Sequence, residues 1–194
     1  MNKSTIAGRW KLFVVLAVCA APMIFSYLTY YVIKPNGRTN YGSILDPRLY
    51  PIPKLEGKLL GGEKTELDAY KGKWIMLQVD SGTCPDTCQK KLYDMRQLRL
   101  TQGKEMDRVE RVWLVTDDVV INAALIRKLD GVHIVNVNVD KLKAWLPTEN
   151  DTQLNDHLYM IDPLGNLMMR FPKDADPQKM KKDIAKVLRA SAIG

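Results

Sequence analysis

The stretch "LFVVLAVCAAPMIFSYLTYYVI", Leu12–Ile33, contains no charged side chain. A helix of about 22 residues is long enough to cross a hydrocarbon core of roughly 30 Å. The core helix of a globular protein keeps a polar face, and this stretch shows none. Tyr27, Tyr30 and Tyr31 gather at one end, where an interfacial aromatic belt belongs. The run therefore predicts a transmembrane anchor over 12–33. A cleaved signal peptide is the alternative, because Val18-Cys19-Ala20 resembles a small-residue cleavage site. The apolar run nevertheless extends well beyond a signal h-region of about 7–15 residues. Val18 is bulky for a lipid-attachment signal, so Cys19 reads as an inert membrane thiol.

Charge follows the same division. The chain carries a net +7, and Lys3, Arg9, Lys11, Lys34 and Arg38 supply five of those charges with no acid before Thr39. The remaining domain is nearly balanced, so nucleic acid is not an expected partner. A short basic tail before an apolar segment is the usual export arrangement. Residues 1–11 are accordingly expected in the cytoplasm and the C-terminal part outside it. Residues 34–53, with four prolines, two glycines and no periodicity, read as an extended tether.

The domain expected over 54–194 alternates strand and helix patterns. "KLEGKLLGGEKTEL" predicts a hairpin turning at Gly61-Gly62. "KWIMLQVD" has the length and apolarity of a central strand. A helix is predicted from Pro85 to about Gly103, then a strand "RVWLVTD", a helix over Asn122–Leu129, and a strand "VHIVNVNV". "HLYMIDPLGNLMMRF" predicts two strands around a turn at Asp162–Gly165. A last helix starts with Asp176 as N-cap and Pro177 at its first position. Its basic face, Lys181, Lys182, Lys186 and Arg189, is most simply solvated. Helical crossovers in the middle imply parallel pairing, and the late hairpin implies antiparallel pairing. The fold class is therefore α/β: a mixed sheet with helices on both faces, preceded by one transmembrane helix.

Cys84 and Cys88 fall just after the predicted central strand, at the start of a predicted helix. Free N–H groups and the helix dipole there stabilise a thiolate, which both thiol exchange and metal binding require. Within a helix, residues i and i+4 have Cβ atoms about 5–6 Å apart. A disulfide needs about 3.5–4.5 Å, so a regular turn would have to distort to close one. Two thiolates around a soft ion such as Cu(I) tolerate the wider spacing. A disulfide that merely staples a turn is the bland alternative, and so short a loop gives it little closure entropy. Either active role expects the two sulfurs in an accessible, electropositive pocket.

"LDAYKGKWIMLQVDSGTCPDTC" resembles a thioredoxin-like domain, and "CPDTC" resembles the Cys-Pro-Asp-x-Cys motif of the Sco (SenC-type) proteins. That resemblance implies a thioredoxin-like fold on a bacterial inner-membrane anchor, with one pass and the domain in the periplasm. It implies Cu(I) held by Cys84, Cys88 and a histidine, with His157 in that place. The implied partner is the copper-containing subunit of cytochrome c oxidase or another assembly factor. Some members of that family act mainly as thiol–disulfide reductants, so the alternative is a metal-free oxidoreductase with Cys84 and Cys88 as its redox pair. A redox-inert assembly factor is a third reading. Two features depart from the family pattern: Gln89 stands where a proline usually follows the second cysteine, and ungapped counting puts Leu154 at the histidine position. The segment before "HLYMIDP" also lacks the proline that thioredoxins place opposite the cysteines.

The other candidates have plainer readings. His133 sits within an alternating strand and reads as a sheet residue. Leu167, Met169 and Phe171 are expected on one strand face, which makes Met169 core and turns Met168 the other way. Asp80 and Asp86 flank the cysteines and could tune thiol acidity. No Ser/His/Asp set, phosphate loop or zinc signature appears in the sequence.

Overall fold

The computed structural model describes residues 3–33 and 40–194, which belong to two separate units divided between Thr39 and Asn40. The first six residues of the expected tether, with Lys34 and Arg38, lie outside the described residues.

In the first unit, α1 (Lys3–Tyr27) continues as a π-helical segment over Leu28–Ile33. Pro22 sits inside the helix, and the Thr29 hydroxyl donates to the Phe25 carbonyl at 2.7 Å. The stretch Trp10–Val32 is long and apolar enough to cross a bilayer, and none of it is buried within the chain. A helix with so many exposed apolar side chains needs an apolar environment of another kind.

The second unit is built on one eight-stranded sheet. Its strands are β1 (Ser43–Ile44), β2 (Glu56–Leu59), β3 (Lys64–Glu66), β4 (Trp74–Asp80), β5 (Val109–Val115), β6 (Val132–Val137), β7 (Leu158–Ile161) and β8 (Leu167–Arg170). Their spatial order is β1-β8-β7-β4-β5-β6-β2-β3. β4, β5 and β6 pair in parallel through helices α2 (Asp86–Leu100) and α3 (Ala123–Lys128), and every other pairing is antiparallel. Two more helices complete the domain, α4 (Val139–Trp145) and α5 (Pro177–Ala190). The expected hairpin forms as β2 and β3, and the expected last helix as α5, with Asp176 accepting from the Gln178 N–H.

Side-chain alternation along β4 divides the core. Trp74 and Met76 join one cluster with Leu92, Met95 and Leu98 of α2 and Met180, Ile184 and Leu188 of α5. Ile75, Leu77 and Val79 join the other with Leu142 and Trp145 of α4. Every residue of β4 is buried, as expected for a central strand covered on both faces.

Three details differ from the sequence reading. The strand "VHIVNVNV" stops at Val137, because Asn138 turns its side chain onto the Asp140 N–H and caps α4, a helix that the β-branched pattern hides. Met160 pairs with Met169 but Ile161 pairs with Leu167, so Met168 is an extra residue in β8. That bulge puts Leu167 in the opposite cluster from Met169 and Phe171, correcting the shared face expected for all three.

The third detail concerns residues 40–53. Their composition predicts a tether, and the structure lays them on the domain. β1 pairs with β8, and Ile52 is buried. The buried Asp183 carboxylate of α5 accepts from Tyr41 N at 2.7 Å and Gly42 N at 2.8 Å. A Cβ at Gly42 would come within 2.9 Å of the Met169 side chain, so only glycine allows this approach. We expect Asp183→Ala, which leaves two N–H groups without their acceptor, to cost about 1–3 kcal/mol in urea unfolding. Asp183→Asn, which keeps an acceptor, should cost less. Equal stability of wild type and Asp183→Ala would contradict this clamp.

Candidate functional site

β4 delivers the chain to one end of the sheet, where residues 81–85 turn into α2. The Cys84 N–H bonds to the Ser81 carbonyl at 3.2 Å, closing a tight turn. Cys84 itself has φ +40°, a left-handed conformation that is costly for a residue with a Cβ. Pro85, extended, occupies the N-cap position, and α2 is regular from Asp86 onward.

Cys84 and Cys88 are joined by a disulfide, with Cα atoms 5.1 Å apart. The helix does not distort to make it. Cys84 lies outside the helix, and its left-handed backbone turns the side chain to meet Cys88 in the first turn. Two amides hold this arrangement. Gln89 Nε2 donates to the Cys84 carbonyl at 3.1 Å, and Gln78 Nε2 donates to the Cys88 carbonyl at 3.2 Å. Gln78 is fully buried, and its Oε1 has no partner among the described residues.

The pair is not accessible, contrary to the expectation for an active site. Cys84 is 1% and Cys88 0% exposed, and both sit in the apolar cluster with Leu92, Met95 and Leu158. Thr83, Pro85, Asp86 and Thr87 form the exposed surface of the loop, while the turn draws Cys84 inward. A cleft of about 740 Å³ runs beside this loop, lined by Ser81, Thr83, Pro85, Thr116, Lys143 and Thr152. A partner seated there would touch the loop and not the sulfurs, so thiol exchange requires the loop to open.

Asp80 closes β4. Its Oδ1 accepts from Ser81 N, and its Oδ2 pairs with Lys91 Nζ at 3.4 Å. Lys91 also donates to the Asn155 carbonyl. Desolvation draws the Lys91 pKa down, and the Asp80 charge opposes that shift. This link ties β4, α2 and the segment before β7 together around the cysteine loop. Asp86 is exposed in the first turn of α2, where the helix dipole favours an acid.

His157 does not join the cysteines. Its backbone is extended, so its side chain points opposite to that of Leu158, the residue packed with Cys84 and Cys88. Its ring instead lies 6.0 Å from that of Tyr159, on the other face of the sheet. Both nitrogens are engaged: Nδ1 donates to the Phe171 carbonyl at 2.8 Å, and Nε2 lies 2.8 Å from the Thr152 hydroxyl, which is shared with the Glu149 carbonyl. Among the described residues, no group of three histidine, cysteine or carboxylate side chains is close enough to share an ion. His133 is a sheet residue in β6, against Glu110 at 3.2 Å and the Tyr70 ring. Met169 is core, and Met168 is half-buried against the same cluster.

Gln78 and Lys91 carry no strong sequence signal as parts of the site, and Gln89 is marked there only as a departure from the family pattern. The one signal for Gln78 was a lone amide within an apolar strand.

Burial lowers the His157 pKa, the Phe171 hydrogen bond opposes this, and the Arg170 charge lowers it further. The folded value thus lies below the ordinary 6.5. As pH falls, the unfolded chain takes up this proton first, so the contribution is complete above the ordinary value and is lost below it. We expect unfolding free energy to drop between about pH 7 and 5, and His157→Gln to flatten that drop. An unchanged pH profile in the variant would refute the buried neutral imidazole.

A family model described as a transmembrane-like, thioredoxin-like, C-terminal domain matches residues 74–191. No curated protein matches the chain. Among solved structures, yeast Sco1 with copper bound aligns at 14% identity and TM-score 0.54, over 79% of this chain and 91% of that one. A SCO1/SenC family lipoprotein from Bacillus anthracis aligns at 15% and 0.58, over 76% and 98%. The thioredoxin domain of a Bacteroides vulgatus thiol-disulfide oxidoreductase aligns at 17% and 0.52, over 74% and 99%. At such identities the likeness is one of fold, and that fold is thioredoxin-like.

Proposed function

The chain belongs to the transmembrane-like, thioredoxin-like C-terminal domain family, and from that premise we propose a membrane-anchored thiol–disulfide protein in which Cys84 and Cys88 cycle between disulfide and dithiol. One observation carries this reading. The two cysteines are bonded to each other at the strand-to-helix junction, and the expected third ligand faces the other side of the sheet. In the exchange, a partner thiolate attacks one sulfur, a mixed disulfide forms, and the other cysteine leaves as a thiolate. A second partner thiolate then releases the dithiol, so the partner gains the disulfide that this chain loses. Cys88 lies in the first turn of α2, where the helix dipole stabilises a thiolate. The left-handed Cys84 favours opening, because reduction frees the loop to relax. The domain acts on the exported side of the membrane, the bacterial periplasm, where disulfides persist.

The copper reading has support of its own. "CPDTC" matches the Sco-type motif, and the yeast neighbour was crystallised with copper. In that reading the reduced pair carries Cu(I) as cargo to the copper-containing subunit of cytochrome c oxidase. The residues fit such cargo only in part. Two sulfurs are available after reduction, while both His157 nitrogens are already bonded.

Two measurements on the reduced full-length protein in detergent separate these readings. Exchange with a peptide disulfide should be abolished by Cys84→Ser and remain within about twofold in His157→Ala, because the imidazole stands outside the reacting set. Wild-type function in the Cys84→Ser/Cys88→Ser double variant would leave only a redox-inert assembly role. Stoichiometric Cu(I) binding that His157→Ala releases would establish the metal site instead.

A further inference from the structure

Arg111 of β5 is 4% exposed, and its guanidinium makes one hydrogen bond among the described residues, from Nη2 to the Asp130 carbonyl at 2.5 Å. Its Nε is buried without a partner among the described residues. A buried cation ordinarily has a counter-charge and a full set of acceptors. Here burial and the charges of Arg99 and Arg96 all depress its pKa, offset only by Asp130 and Glu110.

Arg111 lines a groove of about 620 Å³ between α2 and α3. Lys90, Arg96, Arg127 and Lys128 line it too, against the single carboxylate of Asp130. Lys90 is paired with Asp94 at 2.8 Å, but Arg96, Arg127 and Lys128 have no ion pair among the described residues. The groove is also lined by Leu92, Leu125 and Leu129, and Tyr93 stands exposed at its side. Gln89, whose amide holds the Cys84 carbonyl, lines it as well. A balanced domain thus concentrates unpaired positive charge around one deficient arginine, over apolar surface, beside the cysteine helix.

We propose that this groove binds an acidic peptide segment of a partner protein. Carboxylates of the segment supply Arg111 and its neighbours with the acceptors they lack, and an apolar side chain covers the leucines. A lone phosphate or a lipid headgroup would meet the charge but leave the apolar lining wet. The site does not depend on the redox reading, since it stands on Arg111 and not on the sulfurs. Its position beside Gln89 would hold a bound partner next to the cysteine loop.

The test uses the full chain in detergent and a fluorescein-labelled peptide, Glu-Leu-Glu-Glu-Leu-Glu, followed by fluorescence anisotropy. Binding should be saturable. Arg96→Gln with Arg127→Gln should weaken it at least about tenfold, whereas Lys181→Gln with Lys182→Gln, the same charge loss on α5, should leave it within about twofold. Arg111→Met should also weaken it; should that variant not fold, the exposed Arg96/Arg127 pair carries the test alone. Equal weakening by the two double variants would show bulk attraction and overturn the site. Displacement of the peptide by an equal concentration of inorganic phosphate would reduce it to a simple anion site, and binding of anionic vesicles without the peptide would reassign it to lipid; either overturns the proposal. Cys84→Ser should bind the peptide normally. Lost peptide binding with intact thiol exchange would refute the groove alone, and the converse would refute the redox reading alone.

Discussion

Burial of β4 on both faces is the constraint from which the rest follows. A strand with no exposed residue can end only where the sheet ends, and the chain there must satisfy its polar groups at once. Asp80 accepts from Ser81, Ser81 accepts from Cys84, and Lys91 reaches back from α2 to Asp80. The loop that carries the cysteines is short because both its ends are anchored. That shortness forces Cys84 into a left-handed conformation and brings Cys88, one turn into α2, within bonding reach.

Enclosure separates this site from an open thiol pair. The sulfurs lie among Leu92, Met95 and Leu158, and what solvent meets is Thr83, Pro85, Asp86 and Thr87. A buried disulfide can be a brace, but two features argue for opening. Cys84 is strained in the closed form, and the buried Gln78 Oε1 waits without a donor beside Cys88. A newly formed thiol is one group that could supply that donor. The core itself does not depend on the bond, since α2 and α5 pack on the sheet through Leu98, Met180, Ile184 and Leu188.

Much of this architecture was legible in the sequence, for physical reasons. The uncharged run Leu12–Ile33, the unbroken apolar strand at Trp74 and the Asp176-Pro177 helix start are local signals, and each appears where it was read. The strand-to-helix junction at Cys84 was legible too. What escaped depended on distant partners. β1 is two residues long and exists because β8 and Asp183 receive it. α4 was masked by an alternating pattern that runs one residue past its cap. The direction of His157 is set by strand parity against β4, one position out of step with Leu158. Arg111 carries no local signal in the strand "RVWLVTD", and only the fold buries it.

The proposed redox role requires that Cys84 and Cys88 react and do not merely brace. The reduction potential of the full-length protein, from equilibration with glutathione followed by alkylation and mass spectrometry, addresses it most directly. A potential above about −300 mV, within reach of physiological thiol couples, is the expected result. A potential well below that value would mark a permanent structural bond and contradict the account.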